Sequence, residues 1–387
     1  MEKIIFNTHD IILLVTIYQC ILFALLIFIV NHERRQNDYF LIGFLLTQAA
    51  IPLHILVNYG AEFRFIALAA SPDLYRVFEI AYWLEGPLLL WYTRSLVYKD
   101  FRLKKIDLLY IAPAIIYLVW MVFTFYSLAE PMKVALLQDY KTEDGSVGRH
   151  LEGFIRESLR VFFSVLCLID IRHSRQQIRD RYSSLEKIDL GWLNLLVIGF
   201  TVIRVWAVFV SVAIILTVYG RTPIDFSFMG LAGNYTTFLL VSTLIFFSLS
   251  RSSMFEGVDE KVEPHPEPSA EVSQELVKKI EDHMDREKPY LANILTLEQL
   301  AKQIEIPPRT LSNVINRRFE QNFFEFINKY RVAEAKRLLE DPDNAHSTMI
   351  DIMAESGFNS KATFNTFFKK LVGSTPSQYR SAKLVNG

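Results

Sequence analysis

Cysteine is nearly absent. Cys20 and Cys167 each sit inside an apolar run, too few and too isolated for a disulfide framework or a metal site, and both read as small core hydrophobes. Catalytic signatures are missing as well: there is no Gly-Lys-Ser/Thr phosphate loop, no Gly-x-Ser-x-Gly elbow, no His-Glu-x-x-His and no paired-Cys motif. Neither an enzyme nor a cofactor or metal is therefore expected. Charge is scarce, at 21% of residues against 51% hydrophobic, and the formal net charge is only -1, so any basic surface must be local. A cleavable leader is not expected, because Met1 to Asp10 carries a single Lys and the apolar run that follows is too long for a signal segment.

What the chain does have is long apolar stretches, all of them before residue 251. A membrane-crossing helix needs roughly 20 apolar residues. Runs of about that length lie near Ile11–Val30, Tyr39–Val57, Leu74–Leu96, Ile106–Tyr126, Gly153–Ile171, Gly191–Tyr219 and Leu231–Ser250. The third and fifth are interrupted by Glu79, Glu85, Arg156, Glu157 and Arg160, which a helix bundle tolerates better than lipid does. The competing reading of these runs is buried helices of a water-soluble protein.

Positive charge beside the runs sets an orientation. Arg34 and Arg35 follow the first run, Lys99, Arg102, Lys104 and Lys105 the third, and Arg172, Arg175, Arg179, Arg181 and Lys187 the fifth. The alternate loops hold fewer positives, chiefly Arg64, Lys133, Lys141, Arg149 and Arg221. The expectation is a multi-pass protein of the inner membrane with its N-terminus outside and everything after Ser250 in the cytoplasm. Residues 251–273, with Pro264, Pro266 and Pro268 among Glu, Ser and Val, read as an extended linker.

Helical periodicity resumes at Gln274, where Leu276, Ile280 and Met284 form one stripe. Thr296 fits an N-cap, Ile304-Glu305-Ile306-Pro307 breaks the helix, and Pro308 opens the next one, which is a helix-turn-helix pattern. A long helix is expected over Phe323–Glu340. A second short pair follows, Met349–Glu355 and Ser360–Leu371, hinged at Gly357. From Lys302 onward there are 13 Lys or Arg against 9 Asp or Glu, a mild basic excess.

The run Phe323-Phe324-Glu325-Phe326-Ile327-Asn328-Lys329-Tyr330-Arg331-Val332, then Gly357-Phe358-Asn359-Ser360 and Gly373-Ser374-Thr375-Pro376-Ser377-Gln378-Tyr379-Arg380, resembles the DNA-binding domain of AraC/XylS-family transcriptional regulators. The resemblance covers about Gln274 to Arg380 and implies two helix-turn-helix units on a rigid central helix. The expected fold is thus all-α: a seven-helix transmembrane bundle over 1–250, the linker over 251–273, and an AraC-type double helix-turn-helix domain over 274–387. Two recognition helices about 34 Å apart would enter successive major grooves of double-stranded DNA. The expected readers are Arg309, Thr310, Asn313, Asn316 and Arg317 in the first unit and Lys361, Thr363, Asn365, Thr366, Lys369 and Lys370 in the second; each also reads as an ordinary solvated position. Phe358, Phe364 and Phe368 read as core rather than base-stacking groups. Departures from the family pattern are Glu305 in place of a turn Gly, Pro307 in place of a capping Ser, Met353 in place of a packed Ala, and Thr366 in place of an Arg.

The implied function is one-component transcription regulation. Its expected partners are promoter DNA, RNA polymerase, the bilayer, and an unknown ligand or membrane partner; a homodimer would gain from effective concentration. Glu85 and Arg204 fall at mid-membrane depth and are expected to pair, while His54, Glu79, Arg156 and Arg160 are candidates for a ligand pocket nearer the outer face. The alternatives are ion pairs that hold the bundle together, a bundle that is a passive anchor or partner-binding module, and a transporter or membrane enzyme with a fused regulatory domain.

Overall fold

The computed structural model describes residues 7–30, 35–60, 62–98, 101–138, 147–184, 191–220, 227–250, 274–344 and 346–386. The linker over 251–273 and the positives Arg34, Lys99, Lys141, Lys187 and Arg221 lie outside the described residues. Among those described, every regular element is helical, and one isolated antiparallel bridge joins Tyr182 and Thr296. The chain divides into two compact units, Met1–Arg172 with Leu190–Glu260, and His173–Asp189 with Lys261–Gly387. The second unit therefore takes in the basic segment that follows the fifth apolar run as well as the expected C-terminal module.

The first unit contains α1 (Thr8–Val30), α2 (Gln36–Tyr59), α3 (Phe63–Ala70), α4 (Leu74–Val77), α5 (Ile80–Val97), α6 (Ala112–Met121), α7 (Glu130–Gln138), most of α8 (Val147–Arg181), α9 (Gly191–Gly220) and α10 (Ser227–Ser250). Helix covers the seven apolar runs apart from a turn at Phe78 and Glu79 in the third. Four helical stretches among the described residues are long and apolar enough to cross a membrane: Thr8–Ile29, Gln36–Tyr59, Lys105–Tyr126 and Gly191–Thr217. Leu231–Phe247 is apolar but shorter. The third run is broken between α4 and α5 near Glu79, and the fifth lies on the 35-residue α8, whose Arg156, Glu157 and Arg160 dilute its apolar character.

The interior of this unit is built where α2 packs on α1 and α5, with Phe44, Leu45, Leu56 and Leu90 fully buried. Gly86 permits a close crossing of α5 and α8, since a Cβ there would stand 2.5 Å from Cδ2 of Phe163. The outer faces are apolar too: Tyr18, Ile29, Ile116 and Phe123 are 65%, 66%, 68% and 75% exposed.

The second unit contains α11 (Gln274–Glu287), α12 (Leu297–Ile304), α13 (Pro308–Arg318), α14 (Phe323–Glu340), α15 (Met349–Glu355), α16 (Lys361–Val372) and α17 (Pro376–Asn386). The central helix α14 serves two cores. Its first half gives Phe323, Phe326 and Ile327 to a cluster with Ile280, Met284, Leu300, Leu311 and Ile315; its second half gives Val332, Ala335, Leu338 and Leu339 to a cluster with Ile352, Phe358, Phe364 and Phe368. Burying each such side chain contributes roughly 1.5–3 kcal/mol, so α14 is fixed along its length by both clusters. The three phenylalanines of the second cluster are core residues, as the sequence suggested.

Candidate nucleic-acid interface and a buried charge network

The first helix-turn-helix begins at a capping box: Thr296 Oγ1 accepts from the Gln299 amide at 3.2 Å, and Gln299 Oε1 accepts from the Thr296 amide at 3.0 Å. Helix α12 stops at Glu305, whose φ of 59° is left-handed. Helix α13 then starts at Pro308, with Leu311, Val314 and Ile315 turned into the core. That registry leaves Arg309, Asn313, Asn316 and Arg317 exposed along one face, at the i, i+4, i+7 and i+8 spacing of a single helix side, with Thr310 half-buried beside them.

The second unit repeats the device. Thr348 and Asp351 form its capping box, Gly357 makes the turn at φ 85°, and Ser360 caps α16 by accepting from the Thr363 amide at 3.2 Å. Phe364 and Phe368 anchor α16 from below. Lys361, Thr366, Lys369 and Lys370 are exposed, and Thr363 and Asn365 half-buried. Lys361, Asn365, Thr366 and Lys369 line a surface depression of about 520 Å³ together with Met349, Ile350 and Met353. Lys370 stands apart, paired with Glu325 of α14 at 3.2 Å.

The candidate ligand residues are brought together in the first unit, and they face one another. Glu85 is 2% exposed, forms ion pairs with both Arg160 and Arg204, and accepts from Gln48 Nε2 at 2.7 Å. Arg160 also holds Glu157 at 2.6 Å, and Glu157 meets Arg156 at 3.2 Å. Arg156 continues the chain to Glu79 at 3.1 Å, where Arg76 and the Tyr117 hydroxyl complete the carboxylate at 3.0 and 2.8 Å. The Arg156 guanidinium lies 4.2 Å from the centre of the Tyr82 ring, whose edge meets the buried His54 ring. The expected Glu85–Arg204 pair is present. Glu157, Arg76, Tyr117 and Gln48 were not among the candidates; the three-residue spacings of Glu157 from Arg160 and of Arg76 from Glu79 signalled the first two in the sequence, and nothing signalled the others.

Residues 300–382 match the family described as "Helix-turn-helix domain". The C-terminal unit carries an AraC-type helix-turn-helix domain. A Bacillus subtilis (strain 168) protein named "Uncharacterized HTH-type transcriptional regulator YtdP" is 33% identical over 89 residues, which are 23% of this chain and 11% of that protein. The "Melibiose operon regulatory protein" of Escherichia coli (strain K12) is 28% identical over 86 residues, 22% of this chain and 28% of its own. "Probable transcription factor PqrA" of Proteus vulgaris is 38% identical over 56 residues, 14% and 43% of the two chains. The similarity thus spans less than half of each of these relatives, from 11% to 43% of their lengths. No solved structure matches the chain.

Within the AraC-type domain the departures have local explanations. Glu305 occupies a left-handed position, where a β-carbon costs roughly 1–2 kcal/mol. Glu305→Gly is expected to raise the unfolding free energy of this domain by about 1 kcal/mol once the added backbone entropy is subtracted; denaturant melts of the two proteins check this. Pro307 supplies no side-chain cap to α13, and Pro308 at the first helical position compensates in part by having no amide to satisfy. Met353 is half-buried at the edge of the second core and lines the surface depression, so its extra length is accommodated there without prising α15 from α16.

Proposed function

We propose that this protein is a membrane-embedded bacterial transcription regulator that reads DNA with its two helix-turn-helix units. One observation carries the reading: α13 and α16 each seat an apolar face on the core and turn a polar face outward, with Arg and Asn on α13 and Lys and a half-buried Asn on α16, the side chains that pair with guanine, phosphate and adenine. The relatives' names, transcriptional regulator and operon regulatory protein, support transcription control. Promoter DNA and RNA polymerase are the partners this requires.

Membrane embedding is supported by the apolar outer faces. Side chains such as Ile116 and Phe123 stand outward on a helical stretch long enough to span the bilayer, a surface that soluble monomers avoid at such extent. We propose seven crossings over 1–250, an outward N-terminus, and a cytoplasmic DNA-binding domain over 274–387 joined by the 251–273 linker. The buried network of His54, Glu79, Glu85, Arg156, Arg160 and Arg204 is the proposed seat of signal control, because charge pairs that satisfy one another can be exchanged for a ligand's charges. The mutual satisfaction of these groups equally favours a second reading, in which they hold the bundle together and the first unit is an anchor.

The test uses the full chain in lipid nanodiscs and a library of fragments from its own genome. The bound fragments are expected to shift with strongly salt-dependent affinity, and Arg309→Ala and Asn365→Ala are each expected to weaken the selected sites by about 1–3 kcal/mol. Undiminished binding by the double variant, or cleavage of residues 274–387 by protease applied outside intact cells, would overturn the reading.

A further inference from the structure

Arg331 on α14 is 1% exposed, and its hydrogen-bond partners among the described residues are neutral oxygens. Its Nε donates to the carbonyl of Tyr290 at 2.8 Å and its Nη2 to that of Ala292 at 2.8 Å. Two more acceptors come from Ser183, which lies far away in sequence: Nη1 reaches the Ser183 carbonyl at 3.0 Å and Nη2 its hydroxyl at 3.2 Å. A buried guanidinium left short of acceptors is costly, and burial lowers this one to about 10. Ser183 is therefore part of what makes the site tolerable.

The same short segment touches three parts of the AraC-type domain, all within the second unit. Tyr182 bridges Thr296, the cap of the first helix-turn-helix; the Ser183 amide donates to the Leu295 carbonyl at 3.1 Å, and the Leu295 amide donates back to the Ser183 hydroxyl at 3.0 Å. The Ser183 carbonyl also meets Asn328 of the central helix at 3.5 Å. Ser184 donates to Asn359 at 3.0 Å, in the turn of the second helix-turn-helix. None of these contacts falls on an expected reader. The segment continues directly from α8, the helix that bears Arg156 and Arg160.

We propose that Tyr182–Ser184 is a strap across the seam between the two helix-turn-helix units, with Ser183 and Arg331 as the positioning residues that set how the two recognition helices stand to one another. Engaged, the strap joins the cap of α12, the middle of α14 and the turn before α16 as one rigid body. Released, it withdraws two acceptors from Arg331 and frees the turn at Asn359, and the two readers lose their fixed spacing. The strap thus governs simultaneous engagement of two grooves while leaving each recognition helix intact. It goes beyond the proposed DNA reading and can be tested without DNA.

The experiment places spin labels at Asn316 and Lys369, exposed positions on α13 and α16, in the full chain in nanodiscs; Cys20 and Cys167 are buried and stay unlabelled. The parent is expected to give one narrow inter-label distance and a slowly exchanging Leu295 amide. Ser183→Pro, which removes the donor to Leu295 and the hydroxyl together, is expected to lose the narrow distance and to speed Leu295 exchange. Ser183→Ala with Ser184→Ala leaves the backbone unaltered, is expected to broaden the distance less, and decides the matter if the proline variant fails to fold. An unchanged narrow distance in the folded variants overturns the proposal, and so does Leu295 exchange that neither variant alters. A general loss of stability would lower the melting temperature without altering the distance measured well below it, which separates positioning from structural support.

Discussion

Glu85→Ala is expected to destabilise the helical bundle by about 3–5 kcal/mol, the cost of stranding buried charge when one partner of a pair is deleted. The carboxylate stands between two guanidiniums, Arg160 and Arg204, with Gln48 on the same oxygen as Arg204. Remove it and the two cations face each other with little solvent to screen them. Arg160 retains Glu157, so the strain concentrates on Arg204. Replacing the pair together, Glu85→Leu with Arg204→Met, is therefore expected to recover most of the loss, since apolar side chains of similar volume often match a buried ion pair. Thermal unfolding in detergent, followed by helix content, compares the three proteins. A double variant as unstable as the single one would mean that the network acts as a whole and that this pair has no separable part in it.

How much of this was legible beforehand depends on the range over which each signal acts. Boundaries set by local chemistry were read almost to the residue: the Thr296 cap, Pro308 at the first position of α13, the span Phe323–Glu340 and the Gly357 turn are all where the sequence put them. These depend on side chain-to-backbone bonds over three or four residues. The Glu85–Arg204 pair was also legible, because two charges at one depth of an apolar bundle have few other partners. Partnership across many residues of sequence was not. Nothing in Tyr182-Ser183-Ser184 distinguishes it from an ordinary loop, and Arg331 in its amphipathic helix resembles the surface arginine at 337; only the folded chain brings Ser183 within 3.0 Å of it. The crossing count is intermediate. Composition marked seven apolar runs, yet the long α8 carries enough charge that apolarity alone does not make it a span.

Gly357→Ala is expected to cost the AraC-type domain about 3–5 kcal/mol, a large share of the roughly 5–15 kcal/mol that holds a domain folded. Two separate penalties add. The first is conformational: φ is 85°, where a β-carbon costs about 1–2 kcal/mol. The second is steric, because that carbon would stand 2.4 Å from the Tyr290 carbonyl oxygen and 2.9 Å from the Leu291 Cα, backbone atoms that have no rotamer by which to retreat. The Tyr290 oxygen is also an acceptor of Arg331, so moving it disturbs the buried guanidinium across the same seam that Ser183 closes from the other side. Gly373 supplies the control. Its φ is likewise 85°, but no atom lies within 4 Å of where its β-carbon would be, so Gly373→Ala should incur the conformational cost alone, about 1 kcal/mol once the entropy that the alanine removes from the unfolded chain is subtracted. Denaturant melts of the two variants isolate the close approach by difference. Equal losses would mean that the turn at Gly357 is free to move away from Tyr290, and the two helix-turn-helix units would then be joined by α14 and the Ser183 contacts without this close approach.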